Sequence, residues 1–381
     1  MTTIEQTKLV AQVPCPNCWH TFRPTDIRFI SEHPSLQGDP TAGPAEGLRF
    51  RSSRFDLQGN GIDPEDRVCT RVACPRCHIE MPRALLEADT RFLSVVGAPG
   101  SGKTCLLGAA SWSLREYAGE YGCTWVDVDP RLNALLHTYE SGLFIPGSHA
   151  PKKPAKTEMG GANLYNQMNV GGRVQITPRP MYFRVGTRLS GTSILTLYDN
   201  AGEHFLPGPD NAEPLHTGHL GRANALIFVF DPTQARHAGG VSRQELILIE
   251  AMARVRRYAG INQAAKLAVP LIVVLTKADV WAKDSGMDLS TRPSAAGGLI
   301  GLDQDRIKEV SNTSRRIFHE TAPEIVQSIA AFSDHVLWLP CSALGREVDP
   351  LSRDALSIKP QWAEVPFLAA MDLMLRAKSK T

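Results

Sequence analysis

Three things are missing from this sequence of 381 residues. It has no strong charge of either sign: 41 Lys and Arg against 39 Asp and Glu leave a net of +2. There is thus no general electrostatic case for nucleic acid or an anionic lipid surface as partner. No run approaches the ~18 apolar residues of a spanning helix, and Met1-Thr2-Thr3-Ile4-Glu5-Gln6 lacks the apolar stretch of a secretory signal. No internal repeat is visible, which sets aside solenoids and propellers. These absences predict a cytoplasmic chain, where its eight cysteines stay reduced. An apolar content of 43% is ample for a core, and the length suggests two domains or one large domain with an appendage.

The cysteines come in a pattern. Cys15-Pro16-Asn17-Cys18 and Cys74-Pro75-Arg76-Cys77 are two C-x-x-C knuckles, each with proline after its first cysteine. A two-residue gap lets both sulfurs of a knuckle converge on one ion, so four thiolates predict a tetrahedral zinc site in a ribbon at 1–90. Cys69, His20 and His78 are nearby substitutes as ligands, and a redox dithiol pair is the rival reading. Residues 19–73 separate the knuckles by more than the usual ~15–20, so an insertion must loop out. Its centre, Gly38 to Gly47, is rich in Gly and Pro. Residues 1–90 carry ten Lys and Arg against twelve Asp and Glu, a net of −2, which favours protein contact over nucleic acid for the ribbon.

The segment Gly97-Ala98-Pro99-Gly100-Ser101-Gly102-Lys103-Thr104 fits the phosphate-binding loop G-x-x-x-x-G-K-[ST]. Arg91 to Val96 before it reads as a buried strand, and Thr104 to about Tyr117 reads as a helix beginning beside Cys105. Glycines let backbone N–H groups close around phosphate oxygens, and the helix N-terminus adds positive potential. Lys103 is expected to reach the β- and γ-phosphates and the Thr104 hydroxyl to ligate magnesium.

Further along, Pro82 to Asp89 reads as a short helix, Thr124 to Asp129 as a strand and Arg131 to Glu140 as a helix. Residues 142–179, rich in Gly, Pro and Lys, read as a long loop without periodicity. Met181 to Val185 and Ser193 to Tyr198 are expected to pair as a hairpin whose second strand ends in Asp199-Asn200-Ala201-Gly202-Glu203-His204. Ala225 to Asp231 is a buried strand, Ser242 to Tyr258 an amphipathic helix, and Leu271 to Leu275 a strand ending in Thr276-Lys277-Ala278-Asp279. Val336 to Leu339 is the last strand and reaches Cys341-Ser342-Ala343-Leu344.

In that order these motifs resemble the Ras-like and translation-factor-related P-loop GTPases over about residues 91–381. The resemblance implies that Asp199 serves magnesium through water, that the Gly202 amide bonds the γ-phosphate, and that the Asp279 carboxylate reads guanine. It also implies that the Lys277 stem packs over the base and that Ser342-Ala343-Leu344 is the loop whose alanine amide meets the guanine O6. Its first-switch threonine is matched by Thr177, 22 residues before Asp199, with Thr157 as the alternative. The excess over a minimal domain lies in 121–176 and 280–330. A zinc ribbon fused to an enlarged GTPase domain resembles bacterial double-GTPase-type proteins, some of them associated with conflict or defence systems.

One position departs from the family. Glutamine or histidine follows the D-x-x-G glycine there to orient the attacking water; here Glu203 stands in that place, with His204 next. A second negative charge beside the γ-phosphate is unfavourable, so His204 or a group from a partner is expected to act instead. Arg184, Arg188 and Arg222 are candidate charge partners. The expected fold is α/β, a mostly parallel sheet with helices on both faces, one antiparallel edge strand and an N-terminal zinc ribbon. The implied function is a slow GTP-hydrolysing switch that binds GTP or GDP with Mg2+, carries Zn2+, and signals to a protein effector or activating partner, a homodimer among the options. The alternatives are a non-hydrolysing nucleotide-binding assembly module and a zinc-ribbon nucleic-acid-associated factor.

Overall fold

Strands buried on both faces read as near-continuous apolar runs, and such runs form the centre of the sheet. The computed structural model describes residues 9–145, 165–170, 173–205, 218–236, 240–262, 265–345 and 358–378. After the N-terminal module the strands are β1 (Asp89–Gly97), β2 (Cys123–Asp127), β3 (Tyr165–Val170), β4 (Arg173–Pro178), β5 (Met181–Thr187), β6 (Gly191–Asp199), β7 (Ala225–Phe230), β8 (Leu271–Leu275) and β9 (Val336–Pro340). Seven of them form one sheet in the order β2-β5-β6-β1-β7-β8-β9. The pairs from β6 to β9 are parallel, while β5 runs antiparallel to both its neighbours.

The antiparallel strand is therefore not at the edge, as the sequence suggested. Beyond it lies β2, where Cys123 and Trp125 are buried and Thr124 and Val126 are exposed. That alternation suits an edge strand with one solvated face.

The helices are α1 (Lys103–Tyr117), α2 (Ala134–Phe144), α3 (Gly240–Ala259), the single turn α4 (Ala278–Trp281), α5 (Gln304–Thr321), α6 (Pro323–Phe332) and α7 (Val365–Lys378). They divide between the sheet faces as the pleat dictates. Ala225, Ile227 and Val229 of β7 join one core with residues of α1, α2 and α7, whereas Leu226, Phe228 and Phe230 join the other with residues of α3 and α6. In α5, the buried positions Ile307, Ser311, Ser314 and Phe318 recur at helical spacing, and Asp303 caps its N-terminus by accepting from the Arg306 amide at 3.0 Å. The Ser311 hydroxyl accepts the Trp338 amide of β9 at 2.9 Å. All of α5 and most of α6 fall in the 280–330 excess, and no helix among the described residues is long and apolar enough to cross a membrane.

Residues 142–179 are not all loop. β3 and β4 pair antiparallel across Gly171-Gly172, with Asn166 opposite Thr177 and Tyr165 opposite Pro178. The pair was hidden because Tyr165-Asn166-Gln167-Met168-Asn169-Val170 shows no apolar alternation. The short helix at Pro82 to Asp89 is a 3-10 turn, Arg83–Leu86, and α2 begins three residues later than the sequence suggested.

The N-terminal module packs its own core, around Val13, Phe22, Phe29, Val72 and Leu85, onto Tyr182 of β5 and Ile194 of β6. It takes the place on that end of the sheet that a covering helix would have. The segment between the knuckles folds as short strands pinned by two buried carboxylates. Asp39 accepts from the amides of Thr41, Ala42 and Arg49 and meets His78 Nδ1 at 2.7 Å. Asp63 accepts from Ser31 Oγ at 2.6 Å and from the amides of Glu65 and Arg67.

Candidate functional site

The four knuckle cysteines come together. Their Sγ atoms all lie within 4.8 Å of one another, with Cys15–Cys77 and Cys18–Cys74 at 3.7 Å. A tetrahedral ion with metal–sulfur bonds of about 2.3 Å spaces its sulfurs by about 3.8 Å, so the cluster is the size of a zinc tetrathiolate. The knuckles share one backbone design. Trp19 and His78, each directly after a knuckle, adopt left-handed φ of 61° and 57° and donate their amides to the carbonyls of Cys15 and Cys74 at 3.1 Å. Backbone amides also aim at sulfur: Asn17 N lies 3.4 Å from Cys15 Sγ and Arg76 N 3.4 Å from Cys74 Sγ. The candidate substitutes are engaged elsewhere: Cys69 Sγ on Asp63, His78 on Asp39, and the His20 ring against Phe22.

The second site is an edge. Because β6, β1, β7, β8 and β9 run parallel, their carboxyl ends lie together, with Asp199 beside Val95, Gly97 beside Val229, and Leu275 between Phe230 and Pro340. The chain leaves β1 for β2 at one edge, returns to β6 beside β1 and then crosses to β7 on its other side, which makes this the crevice where open α/β sheets take ligands. Gly97 to Gly102 turn the chain from β1 into α1, with Gly100 and Gly102 at φ 78° and 89°, values that only glycine adopts readily. Lys103 is buried and its Nζ donates to the Gly97 carbonyl at 3.3 Å. Thr104 is half-buried on the first turn of α1, and Cys105 follows with its thiol pushed up by burial.

Other segments lock onto this loop. Thr276 Oγ1 donates to the Ser101 carbonyl at 2.8 Å, joining the end of β8 to it. A Cβ on Gly202 would fall 2.5 Å from the Gly97 oxygen and 2.7 Å from Pro99 Cδ, so only glycine lets the turn after Asp199 lie there. Asp199 is buried, and neither carboxylate oxygen has a hydrogen-bond partner among the described residues. Burial pushes its carboxyl above the ordinary value, against the opposing pull of the Lys103 charge. Ser101 Oγ and Thr177 Oγ1 are likewise buried without a partner there. An unsatisfied carboxylate beside a buried ammonium fits a bound cation and anion, and Thr104, Asp199 and Thr177 carry oxygen donors of the kind magnesium takes.

At the other end of the edge, Lys277 begins α4 with φ 55° and places its Nζ 2.5 Å from Asp231 Oδ2. Ser342 Oγ donates to Asp279 Oδ1 and accepts the Gly345 amide at 2.8 Å, which fixes the carboxylate against the loop through Ala343 and Leu344. Ala278 N and the Cys341 carbonyl join the two loops at 3.1 Å. The residues named from sequence, Thr276, Lys277, Asp279, Ser342, Ala343 and Leu344, are thus brought together.

Sequence reasoning missed three partners. Tyr165 Oη bonds His204 Nε2 at 3.2 Å, tying the β3–β4 hairpin that carries Thr177 to the turn after Asp199. Tyr139 of α2 has a buried hydroxyl, raised by burial and then by the charge of Asp199, with no hydrogen-bond partner among the described residues. Asp231 holds Lys277 and accepts from Thr233. Only Asp231, a carboxylate ending an apolar strand, left a local signal. Arg184, Arg188 and Arg222 are exposed, outside this buried cluster. Thr157 and the Glu203 side chain lie outside the described residues. No family model matches the chain, and no curated protein matches it either.

Proposed function

We propose that the protein is a magnesium-dependent, GTP-binding and GTP-hydrolysing switch that carries a structural zinc. The observation that carries this reading is the buried Asp199, unpartnered among the described residues, at the end of β6 beside Lys103 and the Gly97–Thr104 loop. The loop amides and Lys103 hold the phosphates, and Thr104, Asp199 and Thr177 hold the cation. Magnesium, when bound, neutralises charge on the β- and γ-phosphate oxygens. Asp279, held by Ser342, accepts from the guanine N1–H and exocyclic amine, a donor pair that adenine lacks. The Gly202 turn lies against the loop, where its amide can report the γ-phosphate, and loop order is the signal to a protein partner.

For the attacking water the reading favours His204 over Glu203. His204 is buried, and Tyr165 fixes its ring. Single-turnover hydrolysis tests this. Basal turnover is expected to be slow; His204→Ala should lower it about a hundredfold, the scale of a lost general base. Glu203→Gln should preserve or raise it. A hundredfold loss in Glu203→Gln with His204→Ala unchanged would reverse the assignment, and no release of phosphate from GTP would remove hydrolysis from the function.

A further inference from the structure

The first knuckle, besides supplying two thiolates, bears directly on the strands that carry the site. Tyr198, the residue before Asp199, donates its hydroxyl to the Pro16 carbonyl at 2.7 Å. The Trp19 ring packs on Phe92 of β1 and on Tyr198, with centroids 5.8 and 5.6 Å apart. Asn17 is fully buried, and its Oδ1 accepts from Asn166 Nδ2 of β3 at 2.9 Å. Asn166 stands directly opposite Thr177, and its neighbour Tyr165 holds His204. The Asn17 backbone is in turn set by Cys15, whose Sγ receives its amide at 3.4 Å.

We infer that Asn17 is a positioning residue for the proposed hydrolysis: seated in the metal-folded knuckle, it fixes the hairpin that carries Thr177 and Tyr165, and so couples metal occupancy to the nucleotide state. The inference rests on the GTP reading and adds to it a direction of control. An ion at the four cysteines orders Cys15 and hence Asn17; the part-buried Asn17–Asn166 bond passes that order to β3 and β4. What the hairpin presents, Thr177 and through Tyr165 the His204 ring, belongs to the γ-phosphate end, whereas GDP is held by the loop and by Asp279. Ordering is therefore worth most when the triphosphate is bound. Coupling is reciprocal: the factor by which zinc favours the triphosphate state is the factor by which the triphosphate favours zinc.

The test uses the full chain. Asn17→Ala should keep one zinc per chain by elemental analysis and bind GDP within about twofold of wild type. Its affinity for a non-hydrolysable GTP analogue and its single-turnover rate should each fall about tenfold. In wild type, competition with a chelating dye should show zinc held about tenfold more tightly with the analogue than with GDP, a coupling of ordinary size. That difference should vanish in Asn17→Ala. Should the knuckle variant lose zinc, Asn166→Ala, outside the knuckle, decides by the same measurements. A protein that hydrolyses GTP normally in both variants, with zinc affinity blind to nucleotide, overturns the coupling and leaves the GTP reading intact. Failure to bind any guanine nucleotide overturns both.

Discussion

A carboxylate with both oxygens buried and neither hydrogen-bonded costs several kcal/mol unless it is protonated or meets a cation. Among the described residues Asp199 is in that position, with the Lys103 charge to offset its desolvation in part. Its folded value lies above the unfolded one of about 3.9, so the nucleotide-free folded state binds the proton more tightly. The stability it contributes is full at low pH and is lost as pH rises from about 4 through the folded value. Asp199→Asn should therefore stabilise the nucleotide-free protein at pH 8 by about 2 °C or more in Tm, the scale of ~1 kcal/mol in a large domain, and by little near pH 5. The same variant should lose at least tenfold in magnesium-dependent GTP affinity. Thermal unfolding at the two pH values and a binding titration check both arms; a variant less stable at pH 8 with affinity intact would show that Asp199 is structural. His219 works in the opposite sense. Buried against Tyr198, it is lowered to about 3 by desolvation and then by His204. Its contribution is present above about 6.5 and declines as pH falls toward 3.

At the scale of elements, packing holds one end of the site in place. The edge strand β9, which carries the Ser342 loop, is held by α5 through the Ser311 hydroxyl and the buried Trp338 amide. Ser311→Ala orphans that amide, a loss of about 1–3 kcal/mol. Tm should fall by about 2 °C or more, with nucleotide affinity and zinc content unchanged. A calorimetric scan beside a zinc assay measures this, and an unchanged Tm would mean that water replaces the hydroxyl. β7 and β8 were legible in the sequence because each is an unbroken apolar run before a turn, and β1 because a mostly apolar run precedes the Gly-rich loop. The Gly97–Thr104 segment was legible because its residues fit a phosphate-loop pattern, whereas Asp199 and Thr276–Asp279 stood out only through the order in which they resemble a family's motifs. The β3–β4 hairpin was not legible, since Asn166, Gln167 and Asn169 carry no pattern in the sequence, and Asn166 takes its place by a contact with the distant Asn17. Nor was the inner place of β5, because a hairpin reads identically at an edge or one strand in. Tyr139 and Asn17 lie 60 and 182 residues from Asp199 along the chain, and nothing local marks them.

For the whole molecule, the arrangement is one sheet with a cysteine-clustered module on one face and the carboxyl ends of five parallel strands forming a single edge. The module's first knuckle touches β1, β3 and β6, so the two sites belong to one mechanical unit. Under the proposed function the edge binds guanine nucleotides and Asp279 chooses the base. Losing two hydrogen bonds to a charged acceptor, about 1.5–3 kcal/mol each, gives about a hundredfold or more in discrimination. The direct measurement is displacement of fluorescent GDP by GTP, ATP and xanthosine triphosphate, in the wild type and in Asp279→Asn with magnesium present. The account expects ATP to compete at least a hundredfold more weakly than GTP in the wild type, and Asp279→Asn to turn the preference toward the xanthine nucleotide. Equal displacement by ATP and GTP would contradict it.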